Sequence, residues 1–516
     1  MRYPIGIQTF EKIIEGGYLY VDKTALVHKL VTTGEYYFLS RPRRFGKSLL
    51  TTTLEAYFQG RKDLFKGLAM ERLETEWVEY PVFHIDFTGA DYTDPNAVYD
   101  RMNAYLVEWE RLYGKNDAEI SLGDRFYGVV SRAKQQTGKQ VVILIDEYDK
   151  PLTDTIGLQE VQDKNRATLQ GIYGIMKRAD RYIRFAFLTG VTRYGKLGIF
   201  SAANNPDDIS MSDNYASICG ITEAELHSYL DDEVQLFADK LKVSKERMYE
   251  LLKKKYDGYH FCSSDMTDIY NPFSLLGAMK EKALENKWFA TGTPTCLTSM
   301  LKRRSYDLTK FGKGVDATVE TMGSFGNGDD NMIAALYQSG YLTIKDYDGR
   351  RYYTLGFPNE EVEDGFVQCL MTEYSGRNQG DLDYDLRILR DTMEADDVEG
   401  FMTQIQLIMG QIPFESKEPK QIEAHFRNMI YLMIRFSGFK VRVEHPVLGG
   451  RIDIFFETDR CVYVIECKCD QSAETALAQI DMKRYASRIT TADKPVVKMG
   501  VNFSTEERNI TEWKVG

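Results

Sequence analysis

Residues 41–48 have the types and the spacing of a loop that binds phosphate. The stretch ends in Gly46, Lys47 and Ser48. Glycine lets backbone N–H groups approach phosphate oxygens, lysine reaches the terminal phosphates, and a hydroxyl at the start of a helix can hold magnesium. The usual pattern, G-x-x-x-x-G-K-[ST], begins with glycine, but Arg41 occupies that position here. This stretch alone therefore leaves open a basic loop that caps an ordinary helix.

A second stretch, residues 140–152, favours the phosphate-binding interpretation. The five apolar residues Val141–Ile145 are typical of a strand buried on both faces, as in a parallel sheet, and they run directly into Asp146 and Glu147. Acids at the end of a buried strand are costly without a ligand or partner. Beside a phosphate loop, Asp146 would hold magnesium through water and Glu147 would polarise an attacking water. A capping turn explains one carboxylate but less readily both.

A third candidate site lies in residues 451–468, which are typical of a β-hairpin around Asp459-Arg460. A loop with an even number of residues places Asp453 across from Glu466, with Cβ atoms about 5 Å apart, and Lys468 on the same face. A three-residue loop would instead separate the two acids. Two carboxylates and a lysine suit a divalent metal and an activated water. The alternative is a salt-bridge ladder on a solvated face, which the apolar neighbours make less favoured.

Flanking helices could complete this third site. Glu423 lies on a predicted helix, 422–436, and could add a carboxylate to the oxygen ligands of Mg²⁺. A predicted helix over 473–488 carries Gln479 and Lys483 four residues apart, which places them on one helical face. Both could approach a scissile phosphate, although a solvated surface is the competing interpretation.

The first two stretches belong to a pattern of alternating strands and helices. This pattern predicts a three-layer α/β fold around a parallel sheet, with ligands at the carboxyl ends of the strands. Thr189, Thr192 and Arg193 lie at such a strand end, where they could sense a terminal phosphate or form a plain polar turn. The predicted strands cover 36–40, 80–87, 141–145 and 183–189, and the helices 23–33, 47–58, 96–113, 123–137 and 165–180.

Beyond residue 199 the pattern changes to helices at 223–240 and 244–255, which could form a lid that moves with nucleotide. A helix at 332–339 and strands at 341–347 and 352–355 follow. A helix before a hairpin ends a winged helix, but no basic recognition helix precedes it, so an ordinary subdomain is favoured. Polar connectors are predicted at 375–383 and 410–420. The predicted domains are a P-loop domain (1–210), a helical lid (211–310), a winged-helix-like connector (311–410) and a C-terminal α/β domain (411–516).

The composition favours a multidomain protein of the cytoplasm. A chain of 516 residues is too long for a single core. The sequence has no run of about 18 apolar residues, the length needed to span a membrane. Its first residues lack the pattern of a signal peptide. The seven cysteines are scattered without zinc or disulfide spacing, as expected in a reducing compartment.

The charge distribution argues against a protein that coats nucleic acid along its length. The net charge is −12. Residues 421–516 carry 14 Lys and Arg against 13 Asp and Glu, whereas the remaining 420 residues carry 51 against 64. Any contact with DNA is therefore expected to be confined to local patches.

With these residues in view, two resemblances cover nearly the whole chain. The N-terminal part resembles the AAA-ATPase-like family common in bacterial genomes, through GIQTF, YVDKT, FLSRPRRFGKSLL, LIDEYDKPL, FLTGVTR, YDGY and YNPFSLL. An arginine at the position of Arg41 is usual in that family. The C-terminal part resembles the PD-(D/E)XK nuclease superfamily through Asp453 and Glu466-Cys467-Lys468, with Glu423 in the first helix and QIDMKRY in the helix behind.

The resemblance implies an ATP-binding or ATP-hydrolysing domain joined to a Mg²⁺-dependent nuclease that acts on DNA. Two alternatives stay open: an NTPase switch that binds nucleic acid or a protein partner with an inactive nuclease-like domain, and an ATP-bound scaffold without hydrolysis. A homo-oligomer, in which Arg193 acts on a neighbouring subunit, is also left open. Catalytic roles fall to Glu147, Asp453, Glu466 and Lys468. Nucleotide contacts fall to Arg41, Arg44, Phe45, Gly46, Lys47, Ser48, Asp146, Thr189 and Arg193, and metal contacts to Ser48, Asp146, Glu423, Asp453 and Glu466.

Overall fold

The computed structural model describes most of the chain as two compact units. The first unit comprises residues 1–291 and 316–361, and the second comprises residues 292–315 and 362–516. The finer division into four domains stays a prediction. The described residues are 1–193, 206–262, 267–288, 314–323, 331–375, 379–411, 419–439, 441–447, 450–482 and 494–516.

The first unit is built on a five-stranded sheet with the order β2-β3-β4-β1-β5. Every pair of neighbouring strands in it is parallel. All six residues of β3 are buried, which explains its nearly unbroken apolar sequence. The parallel α/β fold predicted from the sequence is confirmed. The strands are β1 (Tyr36–Ser40), β2 (Val82–Asp86), β3 (Val141–Asp146), β4 (Ile183–Gly190) and β5 (Asp207–Asp208).

Helices join these strands and cover both faces of the sheet. The connection from β1 to β2 runs along the sheet in the opposite direction to those from β2 to β3 and from β3 to β4. Because parallel crossovers are right-handed, the helix after β1 lies on the other face from the helices of the later connections. The helices are α1 (Phe10–Glu15), α2 (Thr24–Thr33), α3 (Lys47–Phe58), α4 (Ala69–Leu73), α5 (Ala97–Tyr113), α6 (Leu122–Thr137), α7 (Lys150–Thr153) and α8 (Gln159–Arg178).

The helical region predicted after the sheet is present. Thr222 and Glu225 form a capping box at the start of the first of these helices. The region packs around its own apolar cluster, which includes Leu230, Phe237 and Leu252. Its elements are β6 (Ile221–Thr222), α9 (Glu223–Leu241), α10 (Lys245–Tyr256), β7 (Ile269–Tyr270) and α11 (Pro272–Glu281).

A helix followed by a hairpin completes the first unit, as predicted, and a further strand joins that hairpin. The sheet has the order β8-β10-β9. Its elements are β8 (Val315–Ala317), α12 (Val319–Gly323), α13 (Met332–Ser339), β9 (Thr343–Tyr347) and β10 (Tyr353–Gly356).

The second unit begins with helices and ends in a mixed sheet. Residues 379–383, predicted as part of a polar connector, belong to a helix, because the apolar side chains of Leu382, Leu386 and Leu389 are buried. Most of the predicted connector at 410–420 lies outside the described residues. The helices are α14 (Glu360–Ser375), α15 (Gln379–Glu394), α16 (Val398–Met409), α17 (Pro419–Phe436) and α18 (Ala473–Met482).

The mixed sheet has the order β11-β12-β13-β14-β15. Only the β13–β14 pair is parallel, and α18 lies in the crossover between these strands. The other neighbours are antiparallel, so the C-terminal α/β domain expected from the sequence is confirmed. The strands are β11 (Val441–Val447), β12 (Gly450–Glu457), β13 (Val462–Cys469), β14 (Val496–Ser504) and β15 (Asn509–Val515).

Candidate functional site

The loop between β1 and α3 has the backbone conformation of an anion-binding turn. Arg44 has φ of 71° and Gly46 has φ of 94°, while Phe45 between them is not left-handed. Alternation of this kind forms concave sets of N–H groups that accept anions. A Cβ atom at Gly46 would meet no atom within 4 Å, so the space beside it is open. The loop therefore has the shape and the room that a phosphate group needs.

Lys47 is buried at the start of α3 and reaches back into this loop. Its Nζ donates hydrogen bonds to the carbonyl oxygens of Arg41 at 3.2 Å and Pro42 at 3.4 Å. The same Nζ lies 3.6 Å from Oε1 of Glu147 at the end of β3. The predicted lysine and the predicted catalytic glutamate are therefore neighbours.

Asp146 lies beside Ser48, as the two sequence patterns predicted. Burial raises the pKa of Asp146 to about 6, and the negative charge of Glu147 adds to the rise, while a hydrogen bond from the Ser48 hydroxyl opposes it. Glu147 has φ of 50°, an uncommon conformation for this residue type that is often found at functional sites. A hydroxyl, two carboxylates and an ammonium group thus meet beside the loop, and this donor set fits magnesium and a polyphosphate.

The other residues predicted to contact nucleotide have protein partners. The Arg41 side chain is 1% exposed and donates to backbone carbonyls, including that of Ser210 at 2.7 Å. The Thr189 hydroxyl donates to the Leu39 carbonyl at 2.8 Å. These contacts shape the loop and its sheet.

Three further residues predicted to contact nucleotide are Arg44, Phe45 and Arg193. Arg44 is exposed and its guanidinium lies over a phenylalanine ring, whereas Phe45 is buried. Nε of Arg193 lies 2.9 Å from Oδ2 of Asp208. Their contact with nucleotide stays a prediction.

Two acids near the site were missed from the sequence. Asp86 is the register partner of Asp146 on the neighbouring parallel strand. Asp149 accepts hydrogen bonds from Val191 N at 3.3 Å and Thr192 N at 2.6 Å, so it anchors the turn after β4. A Cβ atom at residue 190 would come within 2.2 Å of Oδ1 of Asp149, so this close approach requires Gly190. Residues 146–149 read DEYD, and the second aspartate of this motif could have pointed to Asp149 from the sequence.

The candidate site of the second unit rests on the register of the β12–β13 hairpin. Ile454 pairs with Ile465 and Glu457 with Val462, and Thr458 N donates to the Cys461 carbonyl at 2.9 Å. The same register, continued by one residue, sets Asp453 across from Glu466. The four-residue connection between the strands has the even length that the prediction required.

Glu466 lies at the centre of this site. It is 2% exposed, and its Oε1 lies 3.4 Å from Nζ of Lys468. Gln479 of α18 also donates to Oε1 of Glu466. The structure thus brings together the acid, the lysine and the glutamine that the sequence predicted to converge.

Asp453 and α17 border the same strand. Oδ2 of Asp453 accepts a hydrogen bond from Cys467 N at 2.8 Å, which holds it beside β13. Arg427 of α17 lies close enough to influence the thiol of Cys467 electrostatically. Glu423 lies one helical turn before Arg427, so its Cα falls on the same side of α17.

Part of the predicted metal and phosphate contacts falls outside the described residues. The side chain of Glu423 and the residue Lys483 belong to that part. Within the part that is described, no three His, Cys, Asp or Glu side chains converge as a metal cluster. Asp453 and Glu466 alone give two carboxylates, which fits Mg²⁺ because this ion keeps several waters.

Two family models match the parts of the chain that contain the candidate sites. Residues 4–200 match the family model described as predicted AAA-ATPase, and residues 421–513 match that of the PD-(D/E)XK nuclease superfamily. An uncharacterized protein in the vnfD 5′ region of Azotobacter chroococcum mcd 1 is 33% identical over 532 residues, covering all of this chain and 98% of the relative. The chain belongs to the AAA-ATPase-like family and has a C-terminal domain of the PD-(D/E)XK nuclease superfamily.

In this AAA-ATPase-like protein the two family matches contain the two clusters described above. The first match includes Lys47 and Asp146, and the second includes Glu423, Asp453 and Glu466. None of the described helices is both long enough and apolar enough to cross a membrane.

Proposed function

We propose that this protein binds and hydrolyses ATP with Mg²⁺ and that its C-terminal domain is a metal-dependent nuclease acting on DNA phosphodiesters. The observation that carries the nuclease proposal is the meeting of Asp453, Glu466 and Lys468 on adjacent strands, with Lys468 Nζ 3.4 Å from Glu466. The alternative, a salt-bridge ladder on a solvated face, would leave Glu466 exposed, but Glu466 is only 2% exposed. A buried carboxylate is costly without a partner, and a bound metal ion would offset that cost.

At the nucleotide site each group has a defined task. The N–H groups around Gly46 would bind phosphate oxygens. Lys47 would move away from Glu147 and neutralise charge on the terminal phosphates. Ser48 and Asp146 would hold Mg²⁺, which supplies charge neutralisation between the phosphates. Glu147, once separated from Lys47, would orient the attacking water.

At the nuclease site the carboxylates would hold the metal and the cation would stabilise charge. Asp453 and Glu466, joined by Glu423, would bind Mg²⁺, whose chemistry there is to activate a water against the phosphodiester. Lys468 would stabilise the negative charge that develops on the phosphate. Gln479 holds Glu466 in place through its hydrogen bond.

We infer that the protein acts in the cytoplasm and contacts DNA through local patches. Six cysteines lie in the described part of the chain, and all are thiols, as expected in a reducing compartment. A homo-oligomer would let Arg193 act on a neighbouring nucleotide, and native mass spectrometry tests for it.

The nuclease proposal is tested by incubating circular and linear DNA with Mg²⁺ or Mn²⁺, with and without ATP. Wild type is expected to cleave, and Glu466→Gln is expected to lose at least about 100-fold of the rate, because metal and water activation depend on that carboxylate. The control is Glu506→Gln, which changes an exposed glutamate of the same domain. Cutting of circular DNA would identify an endonuclease.

The ATP proposal is tested in parallel with Lys47→Ala. Loss of charge-assisted hydrogen bonds is expected to weaken ATP binding by about 10- to 100-fold, with exposed Lys62→Ala as the control. Unchanged binding by Lys47→Ala would contradict the phosphate-loop assignment. ATP hydrolysis without cleavage of any substrate would favour the NTPase switch instead.

A further inference from the structure

Arg41 occupies the position where phosphate loops usually have glycine, and its side chain contacts the protein interior. The guanidinium donates to the carbonyls of Ser40 at 3.0 Å, Ser210 at 2.7 Å, Tyr215 at 3.3 Å and Ala216 at 3.4 Å. Three of these acceptors lie about 170 residues further along the chain, in the segment 209–216. A side chain with these partners ties the loop to that segment.

Aromatic rings hold the same guanidinium and the other end of the loop. The Arg41 guanidinium lies 4.1 Å from the centroid of the Phe261 ring. The Phe45 ring packs edge-on against Phe261 at 5.2 Å and against Tyr259 at 4.8 Å. The loop is therefore anchored on both sides of its exposed turn at Arg44.

The main chain of Arg41 meets the lysine of the phosphate site. Nζ of Lys47 donates to the Arg41 carbonyl at 3.2 Å. The backbone of Arg41 thus contacts Lys47, the lysine proposed to bind phosphate, and its side chain contacts the segment 209–216. A buried cation is costly, and phosphate binding at this position requires only glycine, so the arginine serves another purpose.

The segment 209–216 is in turn connected to the carboxyl end of β4. Ser210 N donates to Oδ1 of Asp208 at 2.9 Å, and Oδ2 of Asp208 lies 2.9 Å from Nε of Arg193. Ser40 N donates to Oγ of Ser210 at 2.8 Å, which adds a second link from β1. The segment therefore contacts the end of β1 directly and is linked through Asp208 to Arg193, which follows β4.

We propose that Arg41 is a positioning residue that couples the phosphate loop to residues 209–216, so that nucleotide binding at Lys47 stabilises this segment. The inference rests on the proposed binding of ATP. When Lys47 turns towards phosphate, the Arg41 carbonyl loses its present donor, and the side chain carries the resulting shift to the carbonyls of 210, 215 and 216. Residues 209–216 are thereby a first recipient of the nucleotide signal.

Hydrogen exchange of the full chain, with and without saturating MgATP, tests this coupling. In wild type, MgATP is expected to slow hydrogen exchange of the amides of 209–216 at least about fivefold. This factor is the lower end of the coupling usually found between two sites. The Kd for MgATP is measured first for each protein, and each is compared at a concentration that saturates it. Under these conditions the nucleotide effect in Arg41→Met is expected to fall below about twofold. Residues 97–113 of α5 are the control peptide and should not respond to the substitution.

The outcomes separate this inference from the proposed function. Equal protection of 209–216 in Arg41→Met and wild type, or no protection in a wild type that binds ATP, would overturn the coupling alone. Absence of ATP binding by wild type, measured with a fluorescent analogue, would overturn the proposed function and the inference with it. Should Arg41→Met fail to fold by circular dichroism, Arg41→Lys replaces it. That variant keeps the cation but not the planar fork, and it is expected to show intermediate protection.

Discussion

Burial raises the pKa of Asp146 to about 6, and the charge of Glu147 adds to the rise. In the unfolded chain this carboxyl has the ordinary aspartate pKa of 3.8. Between about pH 4 and pH 6 the folded state therefore binds more protons, so the contribution of Asp146 to stability falls as the pH rises through this window. Above it the ionised group costs about 3 kcal/mol. The same negative charge is what a magnesium ion would require.

Asp146→Asn should consequently stabilise the nucleotide-free protein at neutral pH. The expected gain in free energy of unfolding is at most about 3 kcal/mol at pH 7.5 and shrinks towards zero near pH 4. Urea unfolding of the first unit at several pH values measures it, with the exposed Asp232→Asn as the control. A gain of the same size at every pH would contradict the raised pKa of Asp146, because the cost would then not come from the ionised carboxylate.

The sequence was informative for residues whose role depends on near neighbours. The positions of Lys47 and Ser48 after the loop were predictable because a strand, a turn and a helix start lie within one short stretch. Asp86 was not, since only the register of two parallel strands reveals that it adjoins Asp146. The partners of Arg41 were also hidden, because the segment 209–216 lies far from it in the chain.

At the scale of elements, the hairpin shows how a local rule can fix a site. The parity of the turn decides whether Asp453 and Glu466 share a face, and the observed register agrees with the even loop. The approach of α18 could not be predicted in the same way. It depends on Gly500, which is the register partner of Glu466 on β14. A Cβ atom there would come within 2.1 Å of the Ala473 carbonyl and 2.6 Å of Leu477 N.

Gly500→Ala should push α18 away from β14 and weaken the contact of Gln479 with Glu466. Since the clash involves backbone atoms, we expect a loss of about 1–3 kcal/mol in unfolding free energy and a slower cleavage rate. Chemical denaturation and the DNA cleavage assay measure the two effects. The matched control is Gly171→Ala, where an added Cβ atom meets no atom within 4 Å. Wild-type stability and cleavage in Gly500→Ala would contradict the proposed dependence on this close packing.

At the scale of the whole molecule, charge limits how the protein can hold DNA. The net charge is −12, and the part outside residues 421–516 carries 51 Lys and Arg against 64 Asp and Glu. Such a surface repels the phosphate backbone except at local patches. We therefore expect few phosphate contacts and a weak dependence of affinity on salt.

Binding of DNA by the cleavage-deficient Glu466→Gln variant over a range of salt concentrations tests this expectation. With about three or four phosphate contacts, the slope of log K against log salt should be about −3 to −4. Adding Lys468→Ala should make the slope shallower by about 1, because one phosphate contact is lost. Lys62→Ala, in the first unit, should leave it unchanged. A slope near −10 would mean an extended basic surface, and that surface would have to be assembled from more than one copy of this acidic chain.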